Sequence, residues 1–127
     1  MNIVTICKEF DFDAAHYLPN VPKGHKCGRM HGHTYRCRLY LSGAPDNKLG
    51  WFVDYAEIAS AWQRIHDVID HRTLNEIPGL ENPTTEVLTP WVWSQMSTDK
   101  KIGAYLRKIR VYESSTTFCE FCGPGAP

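Results

Sequence analysis

A chain of 127 residues with 14 Lys and Arg against 14 Asp and Glu has no formal net charge, which excludes a global basic field for nucleic acid or for an anionic membrane surface. No stretch approaches the ~20 apolar residues of a membrane span, and the apolar run at the N-terminus is too short for a signal peptide, so the expected location is the cytoplasm. The length fits one domain, residues 1–127, able to bury about two thirds of the surface that the unfolded chain exposes.

In chain order, residues 3–16 read as a strand, because Val4, Ile6, Lys8, Phe10, Phe12, Ala14 and His16 recur with a period of two on a mostly apolar face. Pro19, Pro22 and Gly24 then break regular structure. Residues 31–41 form a second strand with His31, His33, Tyr35, Cys37, Leu39 and Leu41 on one side and Thr34, Arg36, Arg38 and Tyr40 on the other. After the turn residues 42–47 the period changes. Asp54 and Glu57 make a capping box, and Ile58, Ala61, Trp62, Ile65, Val68 and Ile69 give the following helix its core face, with Trp62 read as core packing.

Asn82-Pro83-Thr84-Thr85-Glu86 opens a second helix, with Asn82 or a following Thr as the cap. Pro90 inside it predicts a kink or a short first segment. A polar linker around Asp99-Lys100-Lys101 leads to strands at residues 106–113 and 116–121. The order ββααββ predicts an α+β fold: a four-stranded, mostly antiparallel sheet with both helices on one face. Its two open edges and uncovered second face point to self-association.

The chemistry concentrates in Cys27-Gly28-Arg29-Met30-His31-Gly32-His33. On a strand His31 and His33 project from the same face and can reach one ion, with Gly32 expected to leave room beside the rings. A catalytic zinc site takes three protein ligands and keeps a fourth position open. His16, ending the first strand, is the best third donor; His25, in a Gly and Lys loop, and His66, in a helical pattern, rank below it. Three imidazoles suit zinc better than magnesium or calcium, which prefer oxygen. Five cysteines at irregular spacing, Cys7, Cys27, Cys37, Cys119 and Cys122, argue for reduced thiols, and the Cys119-x-x-Cys122 pair lacks the following helix of a redox motif.

His16, Cys27, His31-Gly32-His33, Trp51-Phe52-Val53-Asp54-Tyr55, Asp70-His71, Leu74-Asn75, Asn82-Pro83-Thr84-Thr85-Glu86 and Glu113 stand in the order found in the 6-pyruvoyl-tetrahydropterin synthase family, and nearly the whole chain resembles it. The three residues between Cys27 and His31, with Gly24-His25-Lys26 before them, resemble its 6-carboxy-5,6,7,8-tetrahydropterin synthase branch, which acts in queuosine and 7-deazapurine biosynthesis. The resemblance implies the tunnelling fold, in which trimers close their sheets into a barrel and two trimers stack into a homohexamer with active sites between subunits. It also implies zinc on His16, His31 and His33, Cys27 as general base, Asp70 and His71 in proton transfer, and Glu113 anchoring the pterin. Thr84 and Thr85 count among the substrate-binding residues. Two departures are Ser114 after Glu113, where threonine is usual, and a tail from Cys119 onward unlike the family's ending.

The implied substrate is a small-molecule pterin triphosphate, 7,8-dihydroneopterin triphosphate, whose side-chain diol a zinc ion would polarise. A nearby divalent cation also favours the thiolate that a Cys27 base requires; the alternative makes Cys27 a fourth ligand in a closed structural site. His71 beside Asp70 can shuttle a second proton, or be a helix C-terminal histidine with only a dipole contact. Glu113 can accept from a pterin amide N–H and amine together, or pair with Arg107 or Arg110. Lys23, Lys26 and Arg29 flank Cys27 and can meet the triphosphate, or form a solvated basic loop. Three activities remain open: a carbon–carbon lyase giving 6-carboxytetrahydropterin, a 6-pyruvoyl-forming triphosphate eliminase, and a non-catalytic zinc-stapled oligomerisation or ligand-binding module.

Overall fold

The computed structural model describes residues 2–126; Met1 and Pro127, the two ends of the expected unit, lie outside the described residues. In chain order it contains β1 (Val4–His16), β2 (His31–Gly43), α1 (Tyr55–Ile69), β3 (Arg72–Thr73), α2 (Thr85–Met96), α3 (Lys100–Tyr105), β4 (Leu106–Tyr112) and β5 (Phe118–Phe121). One sheet has the order β3-β1-β2-β4-β5. β1 and β2 pair antiparallel over their full length, from Val4 opposite Gly43 to His16 opposite His31. The β2–β4 and β4–β5 pairs are antiparallel too, and only β3 runs parallel, beside Ala14 and Ala15.

The α+β architecture is as expected, with a fifth strand and a third helix added. β3 is two residues long, too short to carry a period, so nothing in its sequence distinguishes it from a loop. The expected polar linker folds as α3, capped by Asp99, whose carboxylate accepts from Ile102 N at 3.1 Å, and anchored by the buried Ile102. Gly103 lets this turn in, since a Cβ there would stand 3.2 Å from the Ser97 backbone.

Alternation places one face of the sheet under the helices. Phe12, Ala14, Tyr35, Cys37, Leu39, Leu41, Ile109 and Val111 are buried there against Ile58, Trp62, Ile65 and Ile69 of α1 and Leu88 and Val92 of α2. Each such aliphatic side chain contributes roughly 1.5–3 kcal/mol by leaving water. The capping box of α1 forms as read: Asp54 accepts from Ala56 N at 2.9 Å and Glu57 accepts from Asp54 N at 3.4 Å. Val68, expected on the core face of α1, is instead exposed. α2 runs through Pro90 as one helix, so the short first segment does not occur, and Thr84 is its cap. β5 begins at Phe118 because residues 114–117 are taken up by a turn in which the Ser114 and Thr117 hydroxyls bond at 2.7 Å.

Candidate functional site

The long β1–β2 pairing assembles the first cluster. It sets His16 opposite His31 and Ala14 opposite His33, so all three rings lie on the inward face at the same end of the sheet. One donor atom from each lies within 4.8 Å of the others. The rings meet edge to face, with centroids 4.6 to 5.1 Å apart. Gly32 points the other way, so the room it leaves lies on the opposite face of the sheet and not beside the rings, contrary to expectation.

Backbone carbonyls fix which nitrogens are free. His16 Nδ1 donates to Pro83 O at 2.8 Å and His31 Nδ1 donates to Arg29 O at 2.7 Å, so both rings turn an Nε2 lone pair inward. Those two Nε2 atoms stand 3.0 Å apart. His33 Nε2 is buried with no hydrogen-bond partner, 3.5 Å from Glu113 Oε1. Two facing lone pairs and an orphaned nitrogen are costly unless a cation sits among them. An all-imidazole donor set fits a divalent transition-metal ion better than a hard oxygen-seeking one. Burial pushes His16 below the ordinary imidazole value, which keeps it in the neutral, ligating form.

Cys27 lies in a 3-10 turn, Lys26–Gly28, whose first free amide, Cys27 N, is capped by His25 Nδ1 at 3.0 Å. Its carbonyl accepts from Leu18 N at 2.8 Å, tying the turn to the chain just after β1. The thiol is half-buried and stands outside the three-histidine group. Lys23 and Arg29, both exposed, line one open hollow with Tyr17, Pro22 and Gly28, while Lys26 is not part of it. Thr84 caps α2 immediately after the carbonyl that holds His16, and Thr85, the first helical residue, bonds Glu86 at 3.0 Å.

Glu113, one residue past β4, reaches the cluster because β4 pairs with β2. Neither proposed arginine partner engages it: Arg110 donates to Glu120 at 2.8 and 3.0 Å, and Arg107 to the carbonyls of Ala104 and Leu106. Among the described residues its one ion-pair neighbour is His33.

Asp70 and His71 form a second, separate cluster with Asp13. His71 Nδ1 donates to Asp70 Oδ2 at 2.7 Å, so it has a fixed carboxylate partner and not a dipole contact alone. That carboxylate raises the imidazole above its ordinary value, and Asp70 is itself lowered, chiefly by the Asp13 amide that donates to it at 2.9 Å. The His71 side chain is 76% exposed and lines a hollow of about 500 Å³ with Asp13, Ala15, Gly32 and Thr34 of the sheet's open face and with His33 of the first cluster. Sequence reading missed two contributors. Tyr35, next in the His31–His33 alternation, is fully buried with its hydroxyl 3.4 Å from His16 Nδ1, and that alternation was the available signal. Asp13 left no signal beyond its place on the polar side of β1.

A family model described as 6-pyruvoyl tetrahydropterin synthase matches residues 5–124. The chain belongs to that family. A 6-carboxy-5,6,7,8-tetrahydropterin synthase from Synechocystis is 32% identical, covering 94% of this chain and 93% of the relative. A 6-pyruvoyl tetrahydrobiopterin synthase from Dictyostelium discoideum is 28% identical over 77% of this chain and 74% of its own. The solved structure of the Caenorhabditis elegans 6-pyruvoyl tetrahydropterin synthase superposes with a TM-score of 0.90, covering 97% of each chain at 24% identity, and shares the tunnelling fold. No helix among the described residues is long and apolar enough to cross a membrane.

Proposed function

We propose that this tetrahydropterin synthase family member is a zinc-dependent 6-carboxy-5,6,7,8-tetrahydropterin synthase. It converts 7,8-dihydroneopterin triphosphate to 6-carboxytetrahydropterin with loss of acetaldehyde and triphosphate, in the cytoplasm and on the route to queuosine. The observation that supports the reading is the cluster of His16, His31 and His33, with the Nε2 lone pairs of His16 and His31 facing each other and, among the described residues, no fourth donor, Cys27 included, within 4.8 Å of all three. That arrangement is what an open catalytic site requires, and it disfavours the zinc-stapled module, which needs four ligands. The three-residue spacing from Cys27 to His31 and the Synechocystis relative favour the 6-carboxy product over the 6-pyruvoyl one.

Zinc held by the three histidines would polarise the side-chain oxygens of the substrate and make the adjacent C–H more acidic. Cys27, as thiolate, removes the first proton, and His71, held by Asp70, moves the second. Glu113, free of arginine, accepts from the pterin amide N–H and amine, with Thr84 and Thr85 at the start of α2 as further substrate contacts. Lys23 and Arg29, sharing a hollow, face the triphosphate. The three rings lie on the inward face of the sheet and His71 opens into a hollow on the other, whose lining His33 shares, and on this reading the site is shared between adjoining copies. Residues 1–127 thus act as one domain whose site is completed in a homohexamer of two stacked trimers.

Incubating the zinc-loaded protein with 7,8-dihydroneopterin triphosphate and analysing products tests this. Acetaldehyde in step with 6-carboxytetrahydropterin is the expected result; triphosphate with 6-pyruvoyl-tetrahydropterin and no acetaldehyde would assign the other branch, and no turnover of any reduced pterin would favour the module.

A further inference from the structure

We propose that Asp13 is a positioning residue for the His71–Asp70 pair, clamping it to β1 by two backbone contacts and fixing its imidazole with a carboxylate held in place by Thr34. The proposal rests on the reading of His71 as a proton-transfer group and goes beyond it by naming what sets its orientation and charge.

The contacts converge on one residue. Asp13 N donates to Asp70 Oδ1 at 2.9 Å, and Asp13 O accepts from His71 N at 2.6 Å. The chain leaving α1 is therefore sewn to the C-terminal end of β1 at two successive residues, 57 and 58 positions away in sequence. His71 takes φ 56°, the one non-glycine residue in the left-handed region among those described. A histidine there is uncommon, and such a conformation persists where surrounding contacts over-determine it. The Asp13 amide and carbonyl supply those contacts, and the turn they hold keeps His71 Nδ1 on Asp70 while its ring projects into the open-face hollow.

The Asp13 side chain adds a second element, a carboxylate held by Thr34. On the same open face Glu9 is taken up by Arg36 and Arg38, the bond to Arg38 being 2.6 Å. Asp13 has no lysine or arginine within ion-pair distance among the described residues; instead the Thr34 hydroxyl, directly opposite on β2, donates to Asp13 Oδ1. Its carboxylate stays within 4.8 Å of the Asp70 and His71 donor atoms. The groups facing the His71 ring are thus Asp70 beside it, Asp13 from β1, His66 from α1 acting through Asp70 at 3.7 Å, and Arg72 and His33, which line the same hollow. Asp70, by hydrogen bond and by charge, is the main cause favouring the protonated ring, desolvation opposes it, and Asp13 adds a smaller push in the same direction as Asp70, while Nε2 is left free to exchange a proton with a ligand in the hollow.

Asp13→Asn keeps size and both backbone contacts but removes the charge; Thr34→Val keeps the charge but frees the carboxylate. In the zinc-loaded protein, Asp13→Asn is expected to lower kcat on 7,8-dihydroneopterin triphosphate by about 10-fold, below the ~10²-fold that losing a proton-transfer group itself costs, with KM nearly unchanged. The titration midpoint of a 13C-labelled His71 imidazole and the matching limb of the kcat profile should move to lower pH. Thr34→Val should move both the same way by less, and should decide the matter if Asp13→Asn does not fold. Parental kcat and an unmoved His71 midpoint in the folded variants would overturn the proposal. A parent protein without turnover would instead count against the synthase reading, and the imidazole titration would still decide whether Asp13 governs His71.

Discussion

The cluster of three histidines and the cluster of His71 with Asp13 and Asp70 are similar in size, each gathering three donor atoms within 4.8 Å, yet they have opposite electrostatic characters. Around His16 and His31 the partners are neutral carbonyls that take the Nδ1 protons, leaving Nε2 lone pairs aimed at one another, and His33 Nε2 lies without a hydrogen bond 3.5 Å from Glu113. Around His71 the partners are carboxylates, every short contact is satisfied, and the ring is mostly exposed. Burial lowers His16, whereas Asp70 raises His71. A histidine cluster in a protein is therefore defined by what its outer nitrogens touch: carbonyl partners in a buried pocket make a cation socket, and carboxylate partners at the surface make a proton relay.

The largest effect should come from separating the clusters on different chains. His33→Ala and His71→Ala are each expected to be inactive alone. After dissociation and reassembly together, mixed oligomers should regain activity, because some interfaces then pair an intact socket with an intact relay. Verified mixed oligomers that stay inactive would show that both clusters serve a substrate within one chain. A smaller loss sharpens the socket's boundary. Cys27→Ser should lose about 10²- to 10⁴-fold in kcat while retaining its metal, because serine keeps the volume but is not ionised near neutral pH. Near-full kcat would remove the thiol from the proton path.

Much of the socket was legible because strand periodicity is a local property. The alternation ending in His16 and that beginning at His31 put the rings on one face, and equal strand lengths with antiparallel pairing brought them opposite one another. The capping box of α1 was legible for the same reason. The relay was legible only as a pair of residue types. Its clamp on Asp13 depends on a contact 57 residues away and on β3, which has two residues and no pattern. Glu113 near His33 likewise follows from the β2–β4 register, which sequence periodicity does not specify. Gly32 was misjudged because its neighbours' faces were considered and its own was not.

The smallest effect is on stability against pH, and it isolates the relay. His71 is raised in the folded chain, so its contribution is fully present below the ordinary imidazole value and is lost as pH rises through the higher folded-state value. Asp70 is lowered, so its contribution is present above the ordinary carboxylate value and fades as pH falls through the folded-state one. Asp70→Asn should therefore melt below the parent at pH 6, by no more than about 2 °C for so exposed a pair, and the gap should narrow toward pH 9. Thermal melts at matched protein and zinc concentrations check this; a gap that widens with pH would reverse the assignment.

Metal stoichiometry tests the division between socket and relay most directly. Elemental analysis of the purified parent should find one zinc per chain, lost from His16→Ala, His31→Ala and His33→Ala and retained in Cys27→Ala, Asp70→Asn and His71→Ala. Zinc lost from Cys27→Ala, or a second zinc that disappears with His71→Ala, would contradict the account.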